Sequence, residues 1–230
     1  MLKNIIFIFF FFNCSYIFGK ELLIVYPSGA KSPLLSYSKK VLIELYKRIG
    51  ISLKLKGYHA SRSLVMANLG KADGELLRIK GINKIFKNLI RIESHLLTLT
   101  IKAITLKKDL KTIGLPELHK HTISFHRGYV IFHKIFKNHK ASQPVTDSTQ
   151  IYRMVNNNRV RFGLIVEELS GRTLKKGIYH KIKKIDVKIP PVDLYHYINK
   201  KHISLVPKLL KAIKEMKQER FFQKIQKAIP

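Results

Sequence analysis

Tryptophan is absent from the 230 residues, cysteine occurs once, at Cys14, and carboxylates are scarce, with 14 Asp and Glu against 44 Lys and Arg. A single cysteine excludes an internal disulfide framework. No segment approaches the ~20 consecutive apolar residues of a membrane span. There is no Gly-x-Ser-x-Gly elbow for a serine nucleophile, and no P-loop or G-x-G-x-x-G turn to cradle phosphates. The adjacent Glu167 and Glu168 point to opposite faces if they lie on a strand, so they cannot work as one acid–base pair. Nothing in the chain reads as a catalytic signature, and no cofactor is implied.

The residues that are present describe a folded protein. A hydrophobic content of 46% with 10% aromatics excludes disorder despite a formal charge of +30. The length fits one large domain or two smaller lobes. Lysine pairs are spread along the chain, at Lys107-Lys108, Lys175-Lys176, Lys183-Lys184 and Lys200-Lys201, with no RNP-like segment or zinc-finger spacing beside them. That pattern reads as a solvated basic surface rather than a nucleic-acid footprint, and adhesion to anionic lipid or envelope polymer stays open. His119, His121, His126, His133 and His139 crowd one region. Imidazole suits zinc or copper, but these spacings yield no set of three ligands, so no metal site is expected.

The N-terminus, MLKNIIFIFFFFNCSYIFGKE, combines one basic residue, an apolar run over 5–12, a polar break and a small residue at Gly19. This is the layout of a secretory leader over 1–19, cleaved between Gly19 and Lys20, which sends the chain to the periplasm. Asn13 is not the small residue that precedes a lipoprotein cysteine. Cys14 leaves with the leader, and the mature chain is free of cysteine.

After the leader, ELLIVYPSG reads as a short buried strand and SPLLSYSKKVLIELYKRIG as an amphipathic helix. Its apolar positions are Leu34, Leu35, Val41, Leu42 and Leu45, and Gly50 is its C-terminal glycine. ISLKLKGYH alternates like a strand. SRSLVMANLG reads as a second helix, capped by Ser61 and ended by Gly70. A second unit of the same kind starts at HLLTLTIKAITLKKDL. It runs through LPELHKHTISFHRGY, the helix VIFHKIFKNH, the capped helix of TDSTQIYRMV and the strand in RFGLIVEEL, and PPVDLYHYINKK and the closing helices follow. Alternating strands and helices argue for mainly parallel sheets, and two such units joined by extended strands near 100–105 and 190–194 argue for two lobes with a cleft between them.

The block Arg62-Ser63-Leu64, Gly70, Asp73-Gly74-Glu75-Leu76, Arg78, then NLIRIESHLLTLTIKAIT, SFHRGY, IYRMVNNNRVRFGLIVEE and LYHYINKKHISLVPKLLKAIKEM, resembles the family 3 periplasmic solute-binding proteins of polar amino-acid ABC importers. It is most similar to a short subgroup with an R-S-L…G-x-x-D-G-E-L-x-R block. Each motif alone is weak, but their order covers nearly the whole mature chain. The resemblance implies an α/β, two-lobed fold of type II, with a central cleft between two mixed sheets flanked by helices. Lobe 1 would comprise 20–104 and 193–230, and lobe 2 105–192. It implies capture of a small polar solute, an amino acid or related anion, by a monomer that serves an inner-membrane permease or a membrane sensor. The alternative is an accessory or structural protein of the same fold, binding anionic envelope components through its basic surface.

Ligands of such folds bind at the ends of parallel strands. The expected binding residues are Tyr26, Ser28, Arg62, Asp73, Glu75, Arg78, Arg127, Gly128, Tyr129 and Glu167. Arg78, assisted by Arg62 and by backbone N–H groups around Gly128, would hold an anion through its guanidinium fork. Asp73 and Glu75 would orient the two arginines or receive a ligand cation, although an Asp73–Arg62 ion pair that only fixes the second helix fits the spacing equally. Gly74 would allow close approach at a strand end. The chain departs from the amino-acid-binding members in three places. GINKIF lacks their carboxylate-binding Arg, Tyr129 stands where they follow the glycine with Thr or Ser, and Val166 stands near their acidic residue, with Glu167 one position on.

Overall fold

The computed structural model describes residues 21–27, 33–169 and 181–228. The leader, its cleavage point and Ser28 lie outside them. The chain opens with strand β1 (Glu21–Pro27), helix α1 (Pro33–Arg48), β2 (Ser52–Tyr58), α2 (Ala60–Asn68), β3 (Gly74–Ile79), the short α3 (Ile82–Ile85), β4 (Leu89–Arg91) and β5 (Leu97–Leu99). α1 turns Tyr37, Val41, Leu42 and Leu45 inward, at helical spacing. Burying a leucine of this kind stabilises the fold by about 1.5–3 kcal/mol. α1 and α2 are followed by Gly50 (φ +72°) and Gly70 (φ +71°), the left-handed conformation expected of both glycines. The Ser61 cap is not formed. α2 begins two residues earlier than such a cap requires, its N-cap is His59 with no side-chain cap, and Ser61 Oγ instead lies 3.3 Å from His59 Nδ1.

The middle of the chain supplies β6 (Ile101–Thr105), β7 (Thr112–Ile113), α4 (Leu115–Leu118), β8 (Ile123–His126), α5 (Val130–Ile135), β9 (Ser142–Val145), α6 (Ser148–Asn156), β10 (Phe162–Val166) and β11 (Lys183–Val187). α6 is capped by Asp147, whose carboxylate accepts the Thr149 N–H at 2.9 Å. The chain returns through β12 (Val192–Asn199) and closes with α7 (Val206–Gln218) and α8 (Phe221–Lys227).

Two mixed sheets result. In the first the order is β2-β1-β3-β12-β4, with β5 also on β12. β1, β2 and β3 run parallel to one another, and β12 runs against β3, β4 and β5. In the second the order is β7-β11-β6-β10-β8-β9, where β6 runs against both β10 and β11. This is the two-lobed periplasmic-binding-protein-like architecture. The chain passes between the sheets at Thr100 and over 188–191. β6 therefore belongs to the second sheet, ahead of the expected boundary at 104. The run LTLTIKAIT is extended throughout and carries no turn residue to mark the change. The main apolar cluster is continuous through both lobes, from Leu22, Ile24 and Leu42 by way of Leu99 and Ile101 to Phe125, Phe132 and Val166. Smaller ones lie beneath α2 (Val25, Leu64, Ala67, Ala72, Leu89 and Tyr197) and beneath α6 (Ile104, Ile151, Tyr152, Val155, Val160 and Ile165).

Candidate functional site

The three parallel strands of the first sheet finish on one edge. Pro27 pairs with Tyr58 at the ends of β1 and β2, and α2 starts just beyond, so its N-terminal end lies there too. Arg78, near the end of β3, pairs with Tyr195, only three positions into β12, so this edge is also the side of the crossing segments. In open parallel sheets the carboxyl ends of strands are where ligands collect.

The Arg78 side chain is 13% exposed and held from two directions. Its Nε donates to Glu75 Oε1 at 2.9 Å, and Nη2 donates to Ser63 Oγ at 2.7 Å. Simple alternation places residues three apart on opposite faces of a strand. The register of β12 shifts between Tyr195 and Tyr197, opposite the β3 stretch that separates Glu75 from Arg78. Glu75 is fully buried. Burial pushes its carboxyl up to about 7, while the Arg78 charge and the Ser63 hydroxyl pull the other way. Its second oxygen, Oε2, has no hydrogen-bond partner among the described residues.

Two tyrosines and three further cations share this edge. Tyr26 Oη accepts from Lys39 Nζ at 2.9 Å, and the same ammonium stands 4.3 Å from the ring centroid. Over Tyr58, the Arg62 guanidinium lies at 5.4 Å and the Lys56 ammonium at 5.3 Å. Tyr58, Lys39, Lys56 and Ser63 are not among the binding residues expected from the sequence. Tyr58 ends an alternating strand and stands four residues before Arg62, a signal that was there to be used. Lys39 reaches the edge from α1, which no local pattern reveals.

Asp73 departs from expectation. It precedes β3, at the end of the strand away from Arg78, and orients neither arginine. Its Oδ2 accepts the Leu23 N–H at 2.7 Å, and its Oδ1 lies 2.6 Å from His202 Nε2 and 2.8 Å from Lys201 Nζ. These hydrogen bonds hold its carboxyl below the usual range against the effect of burial, the largest single influence, which raises it. Gly74 does permit close approach, but to β12 at the start of the strand. A Cβ there would stand 2.5 Å from the Tyr197 carbonyl oxygen.

In the second lobe the turn after β8 uses its donors internally. The Gly128 N–H donates to His126 Nδ1 at 2.9 Å, the Arg127 N–H to the Val145 carbonyl at 2.8 Å and the Tyr129 N–H to the His126 carbonyl at 3.1 Å. Arg127 Nη2 donates to the Pro144 carbonyl at 3.1 Å. Tyr129 is buried against Phe132, and burial drives its phenol above the usual range. The Arg127, Gly128 and Tyr129 N–H groups are thus engaged within the lobe. Glu167 pairs with Lys184 and donates its N–H to the Thr100 carbonyl at 2.9 Å, while Glu168 Oε2 accepts the Thr100 N–H at 2.9 Å. Both glutamates therefore attend the crossing segment. The histidines are dispersed in role, His139 donating to the His119 carbonyl at 3.0 Å and His121 pairing with Glu117 at 3.0 Å. Among the described residues no three His, Cys, Asp or Glu converge as a metal site.

No family model matches the chain. An uncharacterized protein of Shewanella oneidensis is 26% identical over 176 residues, covering 72% of this chain and 65% of that relative's length. An ancestral cationic amino acid solute-binding protein superposes with a TM-score of 0.66 at 13% identity, over 91% of this chain and 95% of the other. The probable amino-acid ABC transporter extracellular-binding protein YtmK of Bacillus subtilis gives 0.64 at 14% identity, over 92% and 98%. A histidine kinase sensor domain with similarity to periplasmic binding proteins gives 0.61 at 9% identity, over 92% and 96%. At these identities the likeness is one of fold, and by fold the chain stands with amino-acid ABC solute-binding proteins and sensor domains built on the same two lobes.

Proposed function

We propose that the protein is an extracytoplasmic solute-binding protein, exported by its leader, that takes a small anionic solute between its lobes and presents it to an inner-membrane permease or a membrane sensor. One observation carries the reading: a guanidinium fixed by a buried carboxylate and a hydroxyl, at the carboxyl edge of parallel strands and next to the crossing segments. An arginine immobilised in advance loses less freedom on pairing with a carboxylate than a mobile one. Lys39, Lys56 and Arg62 on the same edge disfavour a second positive charge on the ligand. A simple carboxylate or dicarboxylate therefore fits this edge better than the cationic amino acids for which one structural neighbour is named.

A thermal-shift panel of small carboxylates, amino acids and phosphate tests this, because a ligand selective for the folded state raises the melting temperature. Calorimetry on the best hit follows. Charge-assisted hydrogen bonds contribute about 1.5–3 kcal/mol, so Arg78→Ala weakens binding roughly 10- to 150-fold, and Arg78→Lys recovers part of that loss. Arg127→Ala leaves affinity within about three-fold, because that side chain is directed to the Pro144 carbonyl. Unchanged affinity in a folded Arg78→Ala protein removes the anchor from the reading.

A further inference from the structure

The outer corner of the first lobe, at the opposite end of β3 from Arg78, combines exposed aliphatic side chains with positive charge alone. Three segments meet there through hydrogen bonds. Asn88 donates its N–H to Asn68 Oδ1 and its Nδ2 to the Asn68 carbonyl, both at 3.0 Å, joining the end of α2 to the turn after α3. The Lys200 N–H donates to the Asn88 carbonyl at 2.8 Å, and Asn199 Nδ2 donates to the Ala67 carbonyl at 2.7 Å. Lys201 Nζ donates to the Gly70 carbonyl at 2.8 Å. The segment after β12 is thereby fastened to both others.

On this framework Leu69 is 60% exposed, Ile85 76% and Ile203 62%, with Val65 one helical turn before Leu69 on the outside of α2. Lys71, Lys84, Lys87 and Lys200 stand exposed beside them, while Lys201 is spent on Gly70 and Asp73. Over 54–92 the only carboxylates are Asp73 and Glu75, the first engaged by Lys201 and His202 and the second buried, and 200–214 contain none. A helix outside that also carried acidic residues would suit an ordinary solvated surface. Lysines of one sign around protruding aliphatic side chains match an interface with anionic headgroups above an apolar layer.

We infer that this corner is a docking surface for an anionic phospholipid bilayer, with the lysines on the headgroups and Leu69, Ile85 and Ile203 entering the acyl boundary. Docking here leaves the carboxyl edge of the sheet and the crossing segments facing away from the lipid. The inference does not depend on the identity of any solute.

The test is co-sedimentation of the full chain with phosphatidylcholine vesicles and with vesicles containing roughly 30% phosphatidylglycerol. Every variant keeps the same N-terminal segment, so its apolar run cancels from the comparison. Binding is expected on the anionic vesicles. Lys84→Gln with Lys87→Gln is expected to weaken it about five-fold per lysine, and Leu69→Ser with Ile85→Ser and Ile203→Ser to weaken it at constant charge. The control, Lys134→Gln with Lys137→Gln in the second lobe, removes the same charge and leaves binding unchanged. Equal losses in the control and the corner variants, or an undiminished serine variant, overturn the assignment. Concentration-dependent dimerisation that the serine variant abolishes, without vesicle binding, also overturns it and gives the corner to a second copy of the chain. Circular dichroism establishes that each variant is folded.

Discussion

At the end of β3 a guanidinium is held out to the edge by a buried carboxylate and a serine hydroxyl, while at the end of β8 the turn folds its donors inward. The first arrangement immobilises a cation without fully enclosing it, since Arg78 keeps some exposure. The second satisfies Arg127, Gly128 and Tyr129 N–H groups within the lobe, so an incoming anion would have to displace existing hydrogen bonds. On the proposed reading, recognition therefore falls to the first lobe and support to the second. In the first lobe His196 donates from Nδ1 to the Glu75 carbonyl at 2.8 Å and accepts at Nε2 from Tyr46 Oη at 2.8 Å, a chain that fixes its neutral tautomer.

The sharpest way to break the comparison uses one glycine from each lobe. A Cβ at Gly74 meets the Tyr197 backbone oxygen at 2.5 Å, whereas at Gly163 it meets Ile151 Cγ2 at 2.4 Å and Ile104 Cγ1 at 2.8 Å. Side chains can repack and a strand partner's carbonyl cannot, so Gly74→Ala is expected to cost more than about 3 kcal/mol and Gly163→Ala about 1–3 kcal/mol. Denaturant titration of both variants reads the difference, and a larger loss at Gly163 would reverse the ranking.

The next effect is a pH response of two buried groups of the first lobe. Glu75, raised to about 7, favours the folded state at low pH and loses that contribution as pH rises through its folded value. His196, lowered by burial to about 4, favours it at neutral pH and loses that contribution as pH falls. Each shift corresponds to about 3 kcal/mol, and the two oppose each other between roughly pH 4 and 7. The wild-type melting temperature is therefore expected to stay nearly level from pH 7 to 4.5. Glu75→Gln exposes the histidine and melts progressively lower as pH falls, while His196→Gln melts higher. Parallel pH profiles for all three proteins would contradict the compensation.

The smallest effect concerns helix starts. Asp147→Ala removes the cap of α6 and is expected to cost about 1 kcal/mol, while Ser61→Ala, which removes no cap, costs a few tenths. Thermal melts at one pH distinguish the two.

The lobes and their alternation could be read from hydrophobic periodicity because α1, β2 and α6 obey their local rules. β4, β7, β9 and β11 were harder. β11 reads Lys-Lys-Ile-Asp-Val, a strand whose only buried positions are Ile185 and Val187, so its polarity masks its period. The block around Arg78 was legible as a functional candidate, but its geometry was not. Asp73 and Glu75 look equivalent in Asp-Gly-Glu, yet the sheet sends the first toward Lys201 and the second toward Arg78, a separation decided by β12 from more than a hundred residues away. The engagement of the donors around Gly128 is hidden from the sequence for a similar reason, since only the folded turn brings His126 Nδ1 to the Gly128 N–H.

The clasp on Thr100 bears on how the molecule can move. Both backbone groups of that residue are bonded to the glutamates that follow β10, so Thr100 travels with the second lobe, while Leu99 is paired with Val192 in the first sheet. The first crossing thus has a single peptide junction in which to absorb rotation. The second, over 188–191, contains Pro190 and Pro191, whose rings restrict φ, and on the first-sheet side of both crossings Thr98 Oγ1 donates to Asp193 Oδ1 at 2.6 Å between β5 and β12. With so few free torsions, rotation between the lobes is expected to follow a narrow swing about one axis, the motion of a stiff flexure rather than a free twist.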